Sequence, residues 1–505
     1  MNKIQELKSL RDILEHCRQN GDKIVHCHGV FDLLHIGHVK HFEAARKSGN
    51  VLVVTITPDR FVNKGPDRPV FHESLRAEVV AALECVNYVG VNEWPTAVET
   101  IKLLKPHYYV KGSDYKNSSD DVTGGIAREQ EACAQVGASI VFTDEIVFSA
   151  SKLLNDHFQV LPGQAKLFID GLKAKYQSST IDEYFEQVRR LKVLVIGEPV
   201  IDEYHYCRAI GKSGKEPVIA ARSLNRETFA GGVLAIANHI ADFVPAVDCV
   251  TLLGKKETKE DFIRSHLKAN VNVKFFYQED NRTITKIRFV DSAFYTKEFE
   301  LYDFEDQDIS EELSRSVAEY LGLVTTNYDL VLVADYGHGF LAENVREVLC
   351  KSSKHLALNS QINAGNLGFN VVTKYDRADY VCISEEELHL AYQQKRGEPS
   401  KKIREIARRM GCERMAITRG SAGLMVYQEP ELLLDIPRFS DKVVDRIGAG
   451  DAVLAVTALA ETAGMPMDLV GFVGNAAGAM AIGIVGNRAF IEKVPLMKYL
   501  YTLLK

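Results

Sequence analysis

Apolar runs of strand length alternate with helix-patterned stretches in this chain, and the alternation occurs in two separate series. A helix-patterned stretch such as His38–Lys47 places Val39, Phe42 and Ala45 on one face. Strands that alternate with helices form βαβ units, in which helices cover both faces of a parallel sheet. The chain is therefore predicted to fold into two α/β bodies.

The two series predict the strands and the domain limits. The strands of the first series are Ile24–Cys27, Val51–Thr57, Val86–Val91, Tyr108–Lys111 and Ser139–Thr143. Those of the second series are Lys192–Gly197, Cys249–Gly254, Leu330–Asp335, His355–Asn359, Tyr380–Ser384 and Arg414–Thr418. The predicted organisation is a first domain over 1–160, a linker or docking helix over 161–190 and a second domain over 191–505.

Between about 273 and 304 the pattern changes to alternation with a period of two residues. Such alternation is typical of strands with one buried and one solvated face. This part of the chain is predicted to form a small antiparallel sheet beside the larger α/β body, where it can act as a lid.

Composition excludes several classes of protein. The chain has 505 residues and a net charge of −7, which argues against a surface that coats nucleic acid. Nine cysteines form no CxxC pair, so neither a disulfide scaffold nor a cysteine-based zinc ribbon is expected. The N-terminus lacks an apolar signal core, and the uncharged stretch Leu469–Gly486 is better explained by a buried helix pair than by a membrane span. A cytoplasmic protein without membrane or nucleic-acid partners is expected.

The peptide HGVFDLLHIGH, residues 28–38, follows a predicted strand and opens a predicted helix. His35 and His38 bracket Gly37, where the backbone can approach a ligand closely. The N–H groups and the positive dipole end of the following helix favour bound phosphate. Nucleotidyl transfer needs fixed donors of this kind, because charge develops on the phosphates as the bond to pyrophosphate breaks. An isolated HxxH pair is more typical of structural or metal-binding histidines. Here the preceding strand, Gly-Val-Phe-Asp upstream and Lys40 downstream favour the catalytic interpretation.

Residues 24–155 resemble the HxGH nucleotidyltransferase superfamily, in particular its cytidylyltransferase-like group, which includes glycerol-phosphate cytidylyltransferases and heptose-phosphate nucleotidyltransferases. Four further features carry the resemblance: Lys64-Gly65 followed by Arg68-Pro69, Glu73 with Arg76, the VKGSDY stretch at 110–115 and the FSAS stretch at 148–151. The resemblance implies a Rossmann-like domain with His35, His38 and Lys64 as catalytic residues. It implies nucleotide contacts from Gly29, Phe31, Asp32, Gly37, Lys40, Arg76, Lys111, Gly112, Asp114, Ser149 and Ser151.

The peptide DRIGAGD, residues 445–451, places a glycine turn before a predicted helix of small residues. Consecutive N–H groups in such a turn form a concavity that holds anions, and the helix dipole strengthens it. Asp451, at the start of the helix, can accept the proton of a substrate hydroxyl during phosphoryl transfer. A glycine turn alone is equally compatible with an ordinary helix start.

Residues 192–490 resemble the ribokinase-like (PfkB) sugar kinases. The resemblance implies that Asp451 is the catalytic base and that Glu387 lies near magnesium. Nucleotide and anion contacts are implied for Thr418, Gly420, Gly423, Gly448, Ala449, Gly450 and Asn475, with Asn475 at the head of a helix. Sugar contacts are implied for Asp202, Gly231, Gly232 and Asp335. The resemblance further implies ATP, Mg²⁺ and a homo-oligomer, expected to be a dimer, whose lids pair across subunits.

The chain departs from the kinase pattern at four places. Ala235 and Ser384 stand where the family has asparagines, and Arg446 stands where it has threonine. The segment 359–366 (NSQINAGN) replaces the Asp-Pro-Lys-Gly of heptose-phosphate kinases. A polar site that loses a hydrogen-bonding partner discriminates differently among substrates. The catalytic end is therefore predicted to be intact and the sugar-reading end to be altered.

Together the halves resemble the bifunctional heptose-7-phosphate kinases/heptose-1-phosphate nucleotidyltransferases, with the domain order reversed. The resemblance implies synthesis of a nucleotide-activated sugar such as ADP-heptose, by phosphorylation at C1 and then nucleotidyl transfer with release of pyrophosphate. Two alternatives stay open. One is a polyol-phosphate or sugar-phosphate cytidylyltransferase that uses CTP, and Lys40 after the HxGH motif favours it. The other is an active transferase fused to a degenerate, scaffold-like kinase domain.

Overall fold

The computed structural model describes residues 3–62, 65, 68–112, 125–143, 161, 163–430 and 432–504. The chain divides into two compact units, one formed by Met1–Leu161 with Met497–Lys505 and the other by Pro162–Leu496. Across the described residues, no helix combines the length and the apolar character that crossing a membrane requires.

The first unit is built on a parallel sheet. Its described strands are β1 (Ile24–Gly29), β2 (Val51–Ile56), β3 (Tyr88–Val91), β4 (Tyr108–Gly112) and β5 (Ser139–Thr143), in the spatial order β3-β2-β1-β4-β5. Every pairing among them is parallel. The described helices are α1 (Leu7–Gln19), α2 (Ile36–Arg46), α3 (Glu73–Ala81), α4 (Val98–Leu104) and α5 (Gly125–Val136). The predicted Rossmann-like α/β fold is confirmed.

The topology of this sheet determines where a ligand can bind. The strand order reverses at β1, because β2 lies on one side of it and β4 on the other. In open α/β sheets, ligands bind beyond the carboxyl ends of the strands at such a reversal. The loop that joins β1 to α2 carries the HxGH histidines and begins at this point. The apolar faces of β1 and β2 pack against Phe42 and Ala45 of α2, both fully buried, which fixes where that helix starts.

The second unit contains a large mixed sheet. Its described strands are β6 (Val193–Gly197), β9 (Val247–Gly254), β10 (Val271–Gln278), β13 (Leu330–Asp335), β14 (Leu356–Ser360), β15 (Tyr380–Ser384), β16 (Arg414–Thr418), β17 (Leu424–Gln428) and β18 (Leu432–Ile436). Their order is β10-β9-β6-β13-β14-β15-β16-β17-β18, and only the pairings of β17 are antiparallel among the described residues. The predicted parallel α/β core is confirmed.

Helices cover both faces of this sheet. They are α6 (Gly163–Lys175), α7 (Ser178–Val188), α8 (Val233–Ile240), α9 (Glu260–His266), α10 (Glu311–Val324), α11 (Glu343–Ser352), α12 (Glu385–Ala391), α13 (Pro399–Met410), α14 (Ala449–Thr462) and α15 (Met467–Ala481). A last helix, α16 (Lys493–Leu504), starts in this unit and ends in the first. Short 3₁₀ turns occupy Asp59–Phe61, Thr325–Asn327, Val372–Lys374 and Gly420–Ala422.

A separate small sheet forms the predicted lid, but its make-up differs from the prediction. It consists of β7 (Pro199–Lys212), β8 (Ile219–Gly232), β11 (Thr285–Asp291) and β12 (Lys297–Asp303), in the order β12-β11-β7-β8. The prediction of a purely antiparallel sheet within 273–304 is wrong, because β11 pairs in parallel with β7. The residues from 271 to 278 instead form an edge strand of the large sheet, next to β9.

The uncharged stretch 469–486 lies largely in α15, which packs against α14. Small residues allow the two backbones to approach, and a Cβ atom at Gly474 would collide with the Cγ2 atom of Thr457 on α14. Both helices are buried along most of their length. This confirms the interpretation of that stretch as part of a buried helix pair.

Candidate active sites

His35 and His38 lie together at the start of α2. His35 is the N-cap residue, and its Nδ1 atom accepts a hydrogen bond of 3.1 Å from the Gly37 amide. The ring centroids of the two histidines are 3.9 Å apart, so the rings stack at the mouth of the helix. Burial lowers the pKa of His35, which favours the neutral ring. The structure brings the two predicted catalytic histidines together beside the first amides of a helix, where an anion is favoured.

The turn that precedes these histidines depends on Gly29 and Phe31. Phe31 has a φ of +50°, and its ring meets the His38 ring edge-on at a centroid distance of 5.4 Å. A Cβ atom at position 29 would lie 2.8 Å from the Phe31 ring, so any larger residue there would displace that ring. Both residues therefore shape the turn that presents His38.

Asp32 and Arg76 connect the motif loop to the segment before α3. The Asp32 carboxylate accepts hydrogen bonds from the amides of Val70 and Phe71 at 2.7 and 3.1 Å. It also forms a buried ion pair with Arg68 at 3.2 Å. These contacts identify Asp32 as an anchor for residues 68–71, while its predicted contact with the nucleotide stays a prediction.

Arg76 is 1% exposed and its guanidinium group is engaged by protein acceptors. It donates to the carbonyl groups of Val30, Thr57 and Phe71 and forms an ion pair with Asp59. Two of these carbonyls lie just beyond the carboxyl ends of β1 and β2. The geometry gives Arg76 a positioning role for the loops around the histidines, and its predicted direct contact with nucleotide is untested.

The remaining predicted residues of this site lie on α2, at the end of β4 or outside the described residues. Lys40 lies on the exposed face of α2, where its ammonium group pairs with Glu43 at 2.7 Å. The Lys111 ammonium group, at the end of β4, lies 2.9 Å from a carboxylate oxygen of Glu129. A Cβ atom at Gly112 would meet no described residue within 4 Å. Lys64, Asp114, Ser149 and Ser151 lie outside the described residues.

His28 at the end of β1 is a candidate that the predicted set omits. Its Nδ1 atom lies 2.8 Å from the hydroxyl of Thr55, and its Nε2 atom lies 3.2 Å from the hydroxyl of Thr57. Burial holds the pKa of His28 well below its usual range. The register of β1 against β2 could have indicated His28, because this pairing brings polar side chains of both strands to one edge of the sheet.

The second site is centred on the turn before α14. Gly448 has a φ of +80°, and a Cβ atom there would collide with the amide oxygen of Asn487. The turn leads directly into Ala449, Gly450 and Asp451, which form the first helical turn. The N–H groups of a first helical turn have no partner within the helix and are free to bind an anion. The structure confirms that this glycine turn lies at the start of a helix.

Asp451 lies at this helix start and is held by a hydrogen bond. The hydroxyl of Tyr336 donates to its Oδ1 atom at 2.8 Å. Burial, with the nearby charges of Asp202 and Glu387, raises the pKa of Asp451 to about 7, although the Tyr336 bond and Lys286 oppose the rise. A carboxylate with a pKa near neutrality is suited to accept a proton from a hydroxyl.

Asp202, on lid strand β7, is linked to the glycine turn through Asn487, which lies against both. It is 2% exposed and accepts hydrogen bonds from Arg288 and, at 3.3 Å, from the side-chain amide of Asn487. A Cβ atom at Gly231 would collide with the Asp202 carboxylate. Gly232, with a φ of +61°, is the N-cap residue of α8. Gly231 therefore makes room for Asp202 beside a helix start, and the sugar contacts of Asp202, Gly231 and Gly232 stay predictions.

Asp335, at the carboxyl end of β13, is fully engaged by its neighbours. Its carboxylate accepts from the Gly337 amide at 3.0 Å and from the Tyr375 hydroxyl at 2.6 Å, and it pairs with Lys374 at 2.6 Å. These bonds hold the loop after β13 in place. A direct contact between Asp335 and sugar stays a prediction.

Glu198 is a buried acid that the sequence analysis omitted. It accepts hydrogen bonds from the amides of Tyr336 and His338 at 3.0 and 3.2 Å, and it is completely buried. Burial and the neighbouring Asp335 raise the pKa of Glu198 to about 7. Glu198 positions the loop that carries Tyr336 toward Asp451.

A cavity of about 710 Å³ opens beside the glycine turn. Its walls include most of the predicted nucleotide residues, namely Thr418, Gly420, Gly423, Ala449, Gly450 and Asn475. Arg446, at the threonine position of the family, also lines it and is exposed. The expectation that Asn475 heads a helix is wrong, because Asn475 lies inside α15 and its side-chain amide donates to the Pro437 carbonyl at 2.6 Å.

Glu387, the predicted metal-site residue, forms a capping box at the start of α12. Its carboxylate accepts from the amide of Ser384 at 2.6 Å and from the amide of Ile362 at 3.1 Å. The Ser384 hydroxyl in return accepts from the Glu387 amide, which explains why serine is suited to this position. Burial raises the pKa of Glu387.

The asparagine-rich segment at 359–370 is hydrogen-bonded to the loop after β13. The side-chain amides of Asn363 and Asn366 donate to the carbonyl of Tyr336 at 2.8 and 2.7 Å. The side-chain amide of Asn370 donates to the carbonyl of Asp335, the residue before Tyr336, at 2.9 Å. The segment that departs from the heptose-kinase pattern thus supports the residue that contacts Asp451.

The fold and the two sites define a two-part α/β protein with a helix-start site in each part. The profile of the pfkB family carbohydrate kinases matches residues 190–493, and the chain belongs to this family. A second profile, described as cytidylyltransferase-like, matches residues 26–159.

Curated relatives resemble the N-terminal part. The bifunctional protein HldE of Syntrophotalea carbinolica is 45% identical over 116 residues, which cover 23% of this chain and 24% of that protein. The bifunctional protein HldE of Methylobacillus flagellatus is 44% identical over 126 residues, which cover 25% of each chain. The aligned part spans about a quarter of these relatives.

Solved structures resemble the remainder of the chain. A point mutant of phosphofructokinase-2 from Escherichia coli superposes with a TM-score of 0.51 at 14% identity, over 62% of this chain and all of that chain. The same enzyme in complex with potassium gives a TM-score of 0.51 at 15% identity, with the same coverage. At this level of identity the likeness establishes the ribokinase-like fold alone.

Proposed function

We propose that this chain makes a nucleotide-activated sugar by two reactions at two separate sites. The C-terminal site phosphorylates a sugar phosphate of the heptose 7-phosphate type at C1. After another enzyme removes the distal phosphate, the N-terminal site couples the sugar 1-phosphate to a nucleotide and releases pyrophosphate. The observation that carries the proposal is the presence of two independent helix-start sites, one with Asp451 and one with His35 and His38. Family membership and the similarity to HldE proteins support both halves.

In the kinase reaction Asp451 accepts the proton of the anomeric hydroxyl. The freed oxygen forms a bond to the γ-phosphorus of ATP, and the bond from that phosphorus to the leaving oxygen of ADP breaks. The amides of Ala449, Gly450 and Asp451 lie where negative charge develops on the phosphoryl oxygens, and fixed donors of this kind lower the barrier most. The adjacent 710 Å³ cavity, lined by Arg446, has the volume for a nucleotide.

In the transferase reaction an oxygen of the sugar 1-phosphate attacks the α-phosphorus of a nucleoside triphosphate, and pyrophosphate leaves with the electron pair of the broken bond. His35 and His38 donate hydrogen bonds to the phosphate oxygens, beside the amides that begin α2. Lys64 and Ser149 are proposed to complete the site from the part of the chain outside the described residues.

Magnesium with ATP is the expected cofactor pair. Among the described residues no group of three or more His, Cys, Asp or Glu side chains is placed to hold a metal ion. Glu387 already accepts two backbone hydrogen bonds, one on each carboxylate oxygen, so each oxygen keeps one further lone pair. That donor set fits Mg²⁺, which keeps several waters and is bound mainly through substrate phosphates. When bound, the ion neutralises charge on the phosphates.

The lid supports a homodimer. Large apolar side chains are exposed on the lid strands and on the loops beside them, among them Ile210, Val218, Ile219, Phe294 and Phe299. Exposed apolar side chains in such number on one small sheet and its loops are consistent with an interface. We propose that two lids pair, and that the dimer works in the cytoplasm, where nucleoside triphosphates are available. Sedimentation of the full chain and of an Ile219→Asp variant tests the pairing, because the charge should shift the protein toward monomer.

The two activities are tested on the full chain with Mg²⁺, heptose phosphates and ATP or CTP. The Asp451→Asn variant should lose ADP production while keeping pyrophosphate release, and His38→Ala should show the reverse. Loss of both activities in either variant would contradict two separate sites. Faster pyrophosphate release with CTP than with ATP would favour the polyol-phosphate or sugar-phosphate cytidylyltransferase alternative.

A scaffold role for the kinase half is favoured by Ala235, Ser384 and the asparagine-rich segment. Nucleotide binding without turnover across a broad panel of sugar phosphates would support that alternative. The hydrogen bond from Tyr336 to Asp451 and the open nucleotide cavity favour activity instead, since a degenerate site has no need to keep either.

A further inference from the structure

The inner face of the lid sheet presents two rows of polar side chains. In the first row Asp202 of β7, Lys286 of β11 and Tyr302 of β12 are paired across the sheet. In the second row, two residues further along each strand, Arg288 is paired with Glu300. Because side chains alternate between the faces of a strand, all of these residues lie on one face.

The charged residues of these rows form ion pairs with one another, except for Lys286. Arg288 forms ion pairs with Asp202 and, at 2.7 Å, with Glu300. Asp202 also accepts from Asn487. Lys286 has no carboxylate oxygen within 4.0 Å of its ammonium group among the described residues, and its ammonium lies instead 4.7 Å from the centroid of the Tyr302 ring. Among the described residues of these two rows, Lys286 is therefore the one cation without an ion-pair partner, although Asp202, Glu300 and Asp451 lie near enough to favour its charge.

Lys286 is only 7% exposed, so this cation is largely removed from water. Burying an ammonium group without an ion-pair partner is costly, and a bound anion would offset that cost. The charge of Lys286 reaches the site, because it lowers the pKa of both Asp451 and His338. The register places Lys286 beside Asp202, which contacts Asn487 next to the glycine turn before Asp451.

We infer that Lys286 binds a phosphoryl group of one of the two kinase substrates. The inference rests on the proposed kinase function and names a substrate-reading residue that the sequence analysis did not assign. Two sources offer the same chemistry, namely the distal phosphate of a sugar monophosphate and the γ-phosphoryl group of ATP. An ammonium group suits either one, since it is a compact charge with three donors.

The test uses the full chain with Lys286→Met, which keeps the length and removes the charge, and Lys286→Arg, which keeps the charge. Lys212→Met is the matched control, because Lys212 lies at the exposed end of lid strand β7. Loss of a charge-assisted contact should weaken binding of the correct phosphate at least tenfold. Calorimetry without nucleotide compares heptose 7-phosphate, fructose 6-phosphate and fructose, and a separate titration uses a non-hydrolysable ATP analogue.

If Lys286 binds the distal phosphate, Lys286→Met lowers the affinity for the sugar phosphates and leaves the affinities for fructose and for the ATP analogue unchanged. If Lys286 binds the γ-phosphoryl group, Lys286→Met lowers the affinity for the ATP analogue. Alternatively, it lowers kcat at least tenfold while the KM for the sugar stays unchanged. Unchanged affinities and unchanged kcat in Lys286→Met would overturn the inference. Stabilisation of the wild-type chain by inorganic phosphate that is lost in Lys286→Met, but not in Lys212→Met, would support it even if no heptose phosphate is turned over.

Discussion

The hydroxyl of Tyr336 donates a hydrogen bond of 2.8 Å to the Oδ1 atom of Asp451. Tyr336 is itself fixed, because its amide donates to Glu198 and its carbonyl accepts from Asn363 and Asn366. The carboxylate at the helix start is thus held through one tyrosine by a buried acid and by the asparagine-rich segment. The part of the chain that departs most from the kinase pattern is therefore connected to its catalytic carboxylate.

Replacing Tyr336 by phenylalanine should raise the pKa of Asp451, since the hydrogen bond stabilises the charged form. A bond to a charged group is worth about 1.5 kcal/mol, which corresponds to roughly one pKa unit. Because this pKa is already about 7, the kinase rate should fall as pH falls below neutrality, and the variant should show that fall at higher pH. The profile of kcat/KM against pH measures the shift.

Tyr328→Phe is the control for this prediction, because its hydroxyl bonds to Asp248 at 2.7 Å and takes no part in the site. It should leave the pH profile unchanged. A Tyr336→Phe profile that coincides with that of the wild type would show that the hydrogen bond does not influence the titrating group.

Gly448→Ala should abolish kinase activity, whereas Gly464→Ala should not. Both glycines have positive φ, +80° and +78°, so both variants bear the same backbone strain of about 1 kcal/mol. Only at position 448 would the new Cβ atom collide with Asn487, which contacts Asp202. Thermal melting and kinase assays of the two variants separate strain from the collision, and equal activities would count against the role given to the turn.

Arg76→Lys should lower transferase activity and stability without affecting the kinase. A lysine cannot span the carbonyls of Val30, Thr57 and Phe71, and each buried acceptor left unpaired costs about 1–3 kcal/mol. Pyrophosphate release should fall at least tenfold because the loops around His35 and His38 lose their common anchor. Arg60→Lys, at an exposed position, is the control. Retained transferase activity in Arg76→Lys would argue against the positioning role.

Acid should destabilise the second unit through His239. This histidine is buried, accepts from the Ile491 amide at 2.8 Å, and has a pKa lowered by burial to about 3. Between about pH 6.5 and 3 the unfolded chain binds a proton that the folded chain does not, so the free energy of unfolding falls as pH falls, by up to about 1.4 kcal/mol per pH unit. His239→Gln should flatten this dependence in denaturant titrations at pH 7, 6 and 5. The exposed His16→Gln should retain the wild-type slope.

Much of the fold follows from the sequence. The strands at 330–335, 380–384 and 414–418 were predicted with the observed limits, because runs of buried apolar residues mark central parallel strands. The edge strand at 139–143 was also predicted with its observed limits, although only Thr143 of it is buried. The long lid strands β7 and β8 were missed. Their outer halves are exposed, and no alternation of buried and solvated residues distinguishes them from loops.

The sequence by itself determined two α/β parts and the local chemistry at each helix start, because glycine turns, His35 with His38, and Asp451 act within a few residues of one another. Only the tertiary structure decided which distant groups complete these sites. Tyr336 reaches Asp451 across 115 positions of the chain, and Arg288 reaches Asp202 across 86. The physical reason is that strand register and loop packing create such contacts, and neither leaves a periodic pattern in the sequence.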